Sequence, residues 1–391
     1  MSVHEHHPAN DPESPQLPRN VESIDPNCRH FLGEKPCVFN KKHDVVCAEC
    51  VYRSPFSELV LIIKLDFLGD VVRFGSVLPP LKQRYPNAKV YWITRRPADE
   101  LVSLMEGVDV ILPFDAGSVE IIKSIHWDLV LNFSNDMTSS ALARAVTAGQ
   151  KIGFLLSERG AIEPTNEAAA YWLTLASFDR HKRANTMSYQ EIMYAIGGFA
   201  PPFARPPLAT VPFPGDVIVP RLPPESTTVG INVGSGSRWP EKMLPPERTA
   251  ELCRRIIKAL PEIHLVLLGG KSERARLRYL HRALERSGRV HRITGEQSLK
   301  EFAGVVQRLN ALVTGDTLAL HLAAAYKVPT VVLFGPTQPA EIFDYYGLIR
   351  KVYDKDLPCL PCYGRCTRNG ECMAAIDLDE VTAHVRRALE S

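Results

Sequence analysis

The sequence lacks any excess of charge of one sign. It has 46 Lys and Arg against 44 Asp and Glu, a net charge of +2 over 391 residues. Nothing in that balance asks for nucleic acid as a partner, and there is no acidic tail. Also missing is an apolar run of the roughly 18–20 residues that a membrane span requires. The opening MSVHEHHPANDPESPQLPRN has neither the basic start nor the apolar core of a signal peptide. The expectation is a cytoplasmic protein, whose cysteines are reduced, metal-bound or buried rather than paired as disulfides. No short-period repeat is present. What is there is ordinary globular composition, 45% hydrophobic and 23% charged. At about 150 residues per domain the length allows two to three domains.

Residues 1–24 are polar and rich in Pro and His, and are expected to be poorly ordered. Residues 25–56 form a cysteine-containing extension. Regular alternation starts at ELVLIIKL (58–65), an apolar run suited to a buried parallel strand. A helical stretch over 71–84 follows, then strands at 89–94, 109–114 and 128–133. Residues 199–225 contain nine prolines, which reads as a connector, with the linker proper at 206–226. Strands are expected again at 227–234, 264–270 and 310–315, with helices at 245–260, 272–287, 299–309 and 318–326. Strand–helix alternation predicts doubly wound sheets. The two α/β halves are placed at 57–205 and 227–375, with a last helix in 376–391. A cleft between such halves is a common ligand site.

In TGDTLALHLAAAYKVPTVVLFGPTQP (314–339), polar residues interrupt an apolar pattern. Asp316 and Thr317 sit where a strand gives way to a helix. That is an ordinary N-cap position. It is equally the place where α/β sheets bind phosphate. His321, four residues after Thr317, shares its helix face. The loop GSGSRWPEK (234–242) has no Walker spacing. Its small residues Gly234, Ser235, Gly236 and Ser237 still let backbone N–H groups approach a phosphate, with Arg238 and Lys242 as countercharges. Glu273, in GGKSE (269–273), reads as a helix-start residue or as a ribose or base contact. Asp70, in KLDFLGDVV (64–72), reads as a helix cap or as a general base facing the cleft.

Eight of the nine cysteines fall into two sets. Cys28, Cys37, Cys47 and Cys50 are spaced C-x8-C-x9-C-x2-C, and Cys359, Cys362, Cys366 and Cys372 are spaced C-x2-C-x3-C-x5-C. Four thiolates suffice for a structural zinc or an iron centre. Reduced, packed cysteines are the alternative. Cys253 is expected in a helix core. The acidic pairs in DKD (354–356) and DLD (377–379) read as solvated.

Taken in order, LIIKLDFLGDVV, GSGSRWPEKMLPPERTAEL, LLGGKSE, ITGEQSLKEFAGVVQRLNALVTGD and GDTLALHLAAAYKVPTVVLFGPTQP resemble the glycosyltransferase family 9 enzymes, the bacterial heptosyltransferase family. The tail CLPCYGRCTRNGECMAAIDLDEV is similar to the cysteine-rich tails of some members, and the resemblance spans about residues 57–388. It implies a GT-B fold: two Rossmann-like doubly wound domains facing a central cleft, here with the N-terminal cysteine-containing extension added. The first domain would bind the acceptor and the second a nucleotide sugar such as ADP-heptose. Transfer would invert the anomeric centre with no obligatory metal.

By the same resemblance, Asp70 is the general base, and Lys242 sits near the diphosphate. Glu273 contacts the nucleoside, and Asp316, Thr317 and His321 belong to the donor site with the 234–237 loop. Lys64, Asp66 and Arg73 fall on the acceptor side. Lys242, the helix start at 316–318 and His321 would be the positive partners of the leaving diphosphate. Three positions depart from the family pattern. Leu318 stands where glycine is usual, Leu244 where tryptophan often follows the lysine motif, and Asp66 adds a second carboxylate beside Asp70. The expected acceptor is a glycan, a lipid-linked glycan of lipopolysaccharide type or a protein. Peripheral membrane association would come through that acceptor. A non-catalytic sugar-nucleotide-binding subunit and a two-domain epimerase are the rival readings.

Overall fold

The computed structural model describes residues 23–236, 239–364, 366, 368 and 370–390. The chain divides into two compact units between Phe56 and Ser57. The smaller holds a short helix, Val38–His43, and a 3-10 turn, Cys47–Glu49. None of its described residues is buried. Ring stacking organises it instead: the Phe39 and Tyr52 rings lie 4.3 Å apart, and His43 lies 4.9 Å from Tyr52.

The larger unit is built on two sheets. The first contains β1 (Leu59–Ile63), β2 (Lys89–Thr94), β3 (Val110–Pro113), β4 (His126–Asn132), β5 (Thr147–Leu156) and β6 (Ile162–Pro164), in the order β3-β2-β1-β4-β5-β6. All pairs are parallel except β5 with β6. The second contains β7 (Thr228–Asn232), β8 (His264–Leu268), β9 (Val290–Arg292), β10 (Ala311–Gly315), β11 (Thr330–Leu333) and β12 (Ile349–Val352), all parallel, in the order β12-β11-β10-β7-β8-β9. Both follow the doubly wound dinucleotide-fold order. Each reverses beside its first strand, at β1/β4 and at β7/β10. Outside the carboxyl ends of strands at such a reversal, a ligand crevice opens.

The helices that matter for the site are α1 (Leu68–Phe74), α2 (Tyr189–Gly197), α3 (Pro246–Ala259), α4 (Leu299–Gln307), α5 (Leu318–Ala325) and α6 (Leu378–Glu390). The single helix expected over 71–84 is two. α1 ends, Gly75–Val77 tightens into a 3-10 turn, and Leu78–Arg84 starts afresh with proline in its first turn. Proline is tolerated there because its missing N–H would have no partner, and it would break a helix further in. Strands β5, β6, β9 and β12 were not expected. β5, TAGQKIGFLL, is mostly half-exposed, and β9 has only three residues.

The proline-rich stretch is pinned rather than loose. The Tyr194 hydroxyl on α2 accepts from the Ala204 amide at 2.8 Å and donates to the Ser76 carbonyl at 3.1 Å. Val219 is fully buried in the second domain's core. Cys253 is buried as expected on α3, and burial pushes its thiol up to about 12. Among the described residues no helix is long and apolar enough to cross a membrane.

Candidate active site

A cavity of about 710 Å³ lies between the two sheet domains. The first contributes Phe67, Leu68, Gly69, Asp70, Arg73 and Lys182. From the second come the loops after β7, β8 and β10. Of the residues expected from sequence, it brings together Asp70, Arg73, Gly234, Ser235, Gly236, Lys242, Glu273, Asp316, Thr317, Leu318 and His321. Ser237 and Arg238 lie outside the described residues.

The cradle is set by one side chain that the sequence reading missed. Asn232, the last residue of β7, donates through Nδ2 to the Gly234 carbonyl at 2.9 Å and to the Thr314 and Thr317 hydroxyls at 3.0 Å each. Thr317 is therefore the N-cap of α5 by position, but its hydroxyl makes no cap bond. The start of α5, Leu318 and Ala319, faces the cavity. An uncapped helix start beside a glycine loop presents N–H groups to an anion. Gly236 adopts φ +70° with open space around its α-carbon, a conformation that favours glycine. A polar Asn closing the apolar strand TVGIN was the signal available in the sequence.

Asp316 is no cap either. Its carboxylate meets Lys242 Nζ at 2.9 Å, and Lys242 also donates to the Asp316 carbonyl at 3.1 Å. His321 Nε2 lies 3.9 Å from the other carboxylate oxygen. Burial would raise the Asp316 carboxyl, but Lys242 and His321 override it and hold the group well below the usual carboxylate range. His321 corrects an expectation. Burial first, and then the nearby Arg73 guanidinium, bring its imidazole down to about 4. At neutral pH it is an uncharged hydrogen-bonding group, not a cation beside the diphosphate. The folded value lies below the unfolded one of about 6.5, so its contribution to stability is complete above pH 6.5 and is lost as pH falls toward 4. In an NMR titration the His321 ring should keep neutral-imidazole shifts down to about pH 5; a midpoint above 6 would contradict this.

Asp70 lies in the first turn of α1, yet Phe67 occupies the N-cap and receives no side-chain cap bond. Asp70 Oδ1 is paired with Arg73 Nη2 at 2.6 Å and is partly open to the cavity. Arg73 Cζ in turn lies over the Tyr189 ring of α2, 3.8 Å from its centroid. Asp66 and Lys64 do not line the cavity. Lys64 Nζ, 3% exposed, pairs with Asp66 Oδ2 at 2.8 Å and lies over the Phe74 ring. The Ser134 hydroxyl also donates to that oxygen. Burial would raise the Asp66 carboxyl, but Lys64 and Ser134 hold it down. Asp66 is thus an occupied, weakly basic carboxylate and no rival to Asp70.

Glu273 performs the helix-start role and lines the cavity as well. Its carboxylate accepts from the Gly270 amide and the Ser272 hydroxyl, each at 2.8 Å. A β-carbon on Gly234 would come within 2.7 Å of its carboxyl carbon. The glycines after β7 and β8 are there to let Glu273 in.

The two domains touch closely at Gly69. A β-carbon there would lie 2.9 Å from His321 Cδ2 and 3.7 Å from the Leu318 amide. Gly69→Ala should cost about 1–3 kcal/mol by overpacking and lower turnover by displacing His321. Urea melts of Gly69→Ala and of Gly69→Ala/His321→Ala check this, since the double variant should recover part of the loss.

The tail cysteines lie close enough that Cys362, Cys366 and Cys359 add to the burial that raises the Cys372 thiol. All nine cysteines are free, and among the described residues no group of three or more His, Cys, Asp or Glu could hold a metal ion. In the tail set, Cys372 Sγ packs toward Gly335, and Cys366 Sγ accepts from the Gly370 amide at 3.2 Å. In the other, Cys47 opens the 3-10 turn and Cys37 precedes the first helix. Of the two readings the spacing left open, zinc or iron and reduced, packed cysteines, the first finds no ligand group among the described residues.

The same folded unit matches known proteins. Residues 225–373 match the family model for glycosyltransferase family 9 (heptosyltransferase). Lipopolysaccharide heptosyltransferase 1 of Pseudomonas aeruginosa is 25% identical over 332 residues, covering 79% of this chain and 87% of the relative. The structure of the E. coli ADP-heptose lipopolysaccharide heptosyltransferase II superposes with a TM-score of 0.64 at 20% identity, over 84% of this chain and 98% of that one. A glycosyltransferase family 9 structure from Veillonella parvula gives 0.65 at 18% identity, over 85% and 98%. These likenesses show the GT-B fold. With the family match over residues 225–373, they make the chain similar to the glycosyltransferase family 9 heptosyltransferases.

Proposed function

We propose that the protein transfers heptose from ADP-heptose to a lipopolysaccharide-type glycan, with inversion and with Asp70 as general base. The observation that carries this is the cavity itself. It sets a carboxylate from the first domain opposite a lysine, a glycine loop and a helix start from the second. The relatives are named for lipopolysaccharide and lipooligosaccharide heptosyl transfer, and they supply the sugar and the acceptor class. The enzyme would work in the cytoplasm, reaching membrane-held acceptor from that side.

The acceptor hydroxyl oxygen attacks the anomeric carbon from the Asp70 side. As the new C–O bond forms, the bond to the diphosphate breaks and the hydroxyl proton passes to Asp70. Charge builds on the leaving ADP, where Lys242 and the N–H groups at the start of α5 are fixed in advance. Arg73, paired with Asp70 at 2.6 Å, holds its carboxylate in place until the hydroxyl arrives. His321, uncharged, can donate a hydrogen bond without competing with Lys242 for Asp316. Glu273, its carboxylate already committed to the Gly270 amide, marks the nucleoside end of the cavity. Leu318 occupies the first helical position of α5 and packs on the second domain's core, so the amide, not the side chain, is what the phosphate meets.

Incubating the protein with ADP-heptose and a heptose-free lipopolysaccharide core should yield free ADP and an acceptor heavier by one heptosyl residue. ADP release without a heavier product would favour hydrolysis. Conversion of the sugar nucleotide with no acceptor present would point to an epimerase.

A further inference from the structure

The cavity has a wall that the transfer chemistry leaves unused. Tyr363 comes from the cysteine-rich tail, between Cys362 and Cys366. Its hydroxyl donates to Glu341 Oε1 at 3.0 Å. The Tyr363 ring lies edge-on to Trp239, with centroids 6.4 Å apart, and Lys182 Nζ sits 4.0 Å from its centroid. All four line the cavity, together with Thr337. Lys182 belongs to the first domain, and its helix, Asp179–Ala184, is fastened to the second by Gln338 Nε2 donating to the Arg183 carbonyl at 2.8 Å. The wall is therefore continuous across the domain boundary.

Its place is the reacting end, not the nucleoside end. The Arg73 guanidinium feels three carboxylates, Asp70, then Asp316 and Glu341. Glu273 and its glycines lie with the loops after β7 and β8. Glu341 keeps Oε2 without a hydrogen bond among the described residues, while Tyr363 holds Oε1. Burial, and then Glu341, push the Tyr363 phenol well up, so it remains a hydrogen-bond donor throughout the neutral range. A fixed carboxylate with one free oxygen, beside two aromatic edges and an ammonium, is a set of groups suited to a polyol. The carboxylate accepts from hydroxyls and the rings cover C–H faces.

We propose that Glu341, held by Tyr363 and flanked by Trp239 and Lys182, is a specificity subsite for the exocyclic hydroxyls of the transferred sugar. It would be the feature that tells a seven-carbon sugar, with its two-carbon exocyclic arm, from a six-carbon one. This rests on the donor reading above and adds to it the part of the donor that is recognised.

The test is a set of dissociation constants for ADP, ADP-heptose and an ADP-hexose of the same ring configuration, on the wild-type chain, Glu341→Gln and Tyr363→Phe. Losing a hydrogen bond to a charged group weakens binding by about 10–100-fold. Glu341→Gln should show that loss for ADP-heptose only, with ADP and ADP-hexose within about threefold. Tyr363→Phe should move in the same direction by less, since it frees Glu341 to turn. Equal losses for both sugars, no loss for either, or weakened binding of ADP itself would each overturn the subsite. A wild-type chain that binds ADP-heptose no more tightly than ADP overturns the donor reading instead. The subsite is then judged on the nucleotide sugar that binds most tightly in a wider panel. There Glu341→Gln must still weaken the sugar form and spare the bare nucleotide, and failing that it too is overturned.

Discussion

Asp70→Asn should lower turnover by about 10²–10⁴-fold, the usual worth of a positioned general base, while ADP binding stays within about twofold. The substitution keeps the shape and a hydrogen-bonding oxygen for Arg73, so α1 should stay in place. What it removes is the ability to take a proton. Among the described residues, Asp70 is the one carboxylate that the first domain brings to the cavity. Asp66 is held by Lys64 and Ser134. Transfer rates under saturating donor, with ADP affinity by calorimetry, read the two effects separately. Near-normal turnover would remove Asp70 from the chemistry.

Asp66→Asn should behave in the opposite way, costing the fold more than the reaction. It leaves the Lys64 ammonium, 3% exposed, without its countercharge under the first sheet's aromatic core of Phe74, Trp92 and Phe133. Removing one partner of a buried pair costs about 3–5 kcal/mol. Lys64→Met/Asp66→Leu should recover much of that, because the ammonium goes with the carboxylate. Denaturant melts of the single and double variants measure the coupling. The pair also sets a pH signature. The folded value of Asp66 is depressed, so its contribution is complete above the unfolded value of about 3.9 and disappears as pH falls through the folded one. That of Lys64 is raised, so its contribution is complete below about 10.4 and fades as pH climbs through the folded value. In Asp66→Asn both slopes should flatten.

Much of this site could be read from sequence because its residues sit at strand ends. The glycine loop, Lys242 and the Asp316–Thr317 junction each follow an apolar run, and a doubly wound sheet gathers such ends at its reversal. Harder to read was what each group does there. Whether Thr317 caps α5 depends on Asn232, which competes for its hydroxyl from another strand. The charge of His321 depends on its burial first and then on Arg73, a residue from the other domain. Glu273 could be read as cap or ligand contact, and the structure has it capping while facing the cavity. The Tyr363–Glu341–Lys182 wall left no trace, since its three members lie on separate segments with no shared period. The cysteine spacing allowed a ligand set, and the four tail thiols do come near one another, but among the described residues no three of them take a metal-holding arrangement.

Tyr363 has a further consequence, for the timing of synthesis. Asp70 leaves the ribosome early and Tyr363 nearly 300 residues later. At about 5–20 residues per second, the first domain waits roughly 15–60 s for the last wall of the cavity to be made. Throughout that interval a nascent chain carries Asp70 without Tyr363. A chain released short of the tail also lacks α6, whose Leu378, Val381 and Val385 are buried in the second domain's core, so the wall and part of the fold that carries it are lost together.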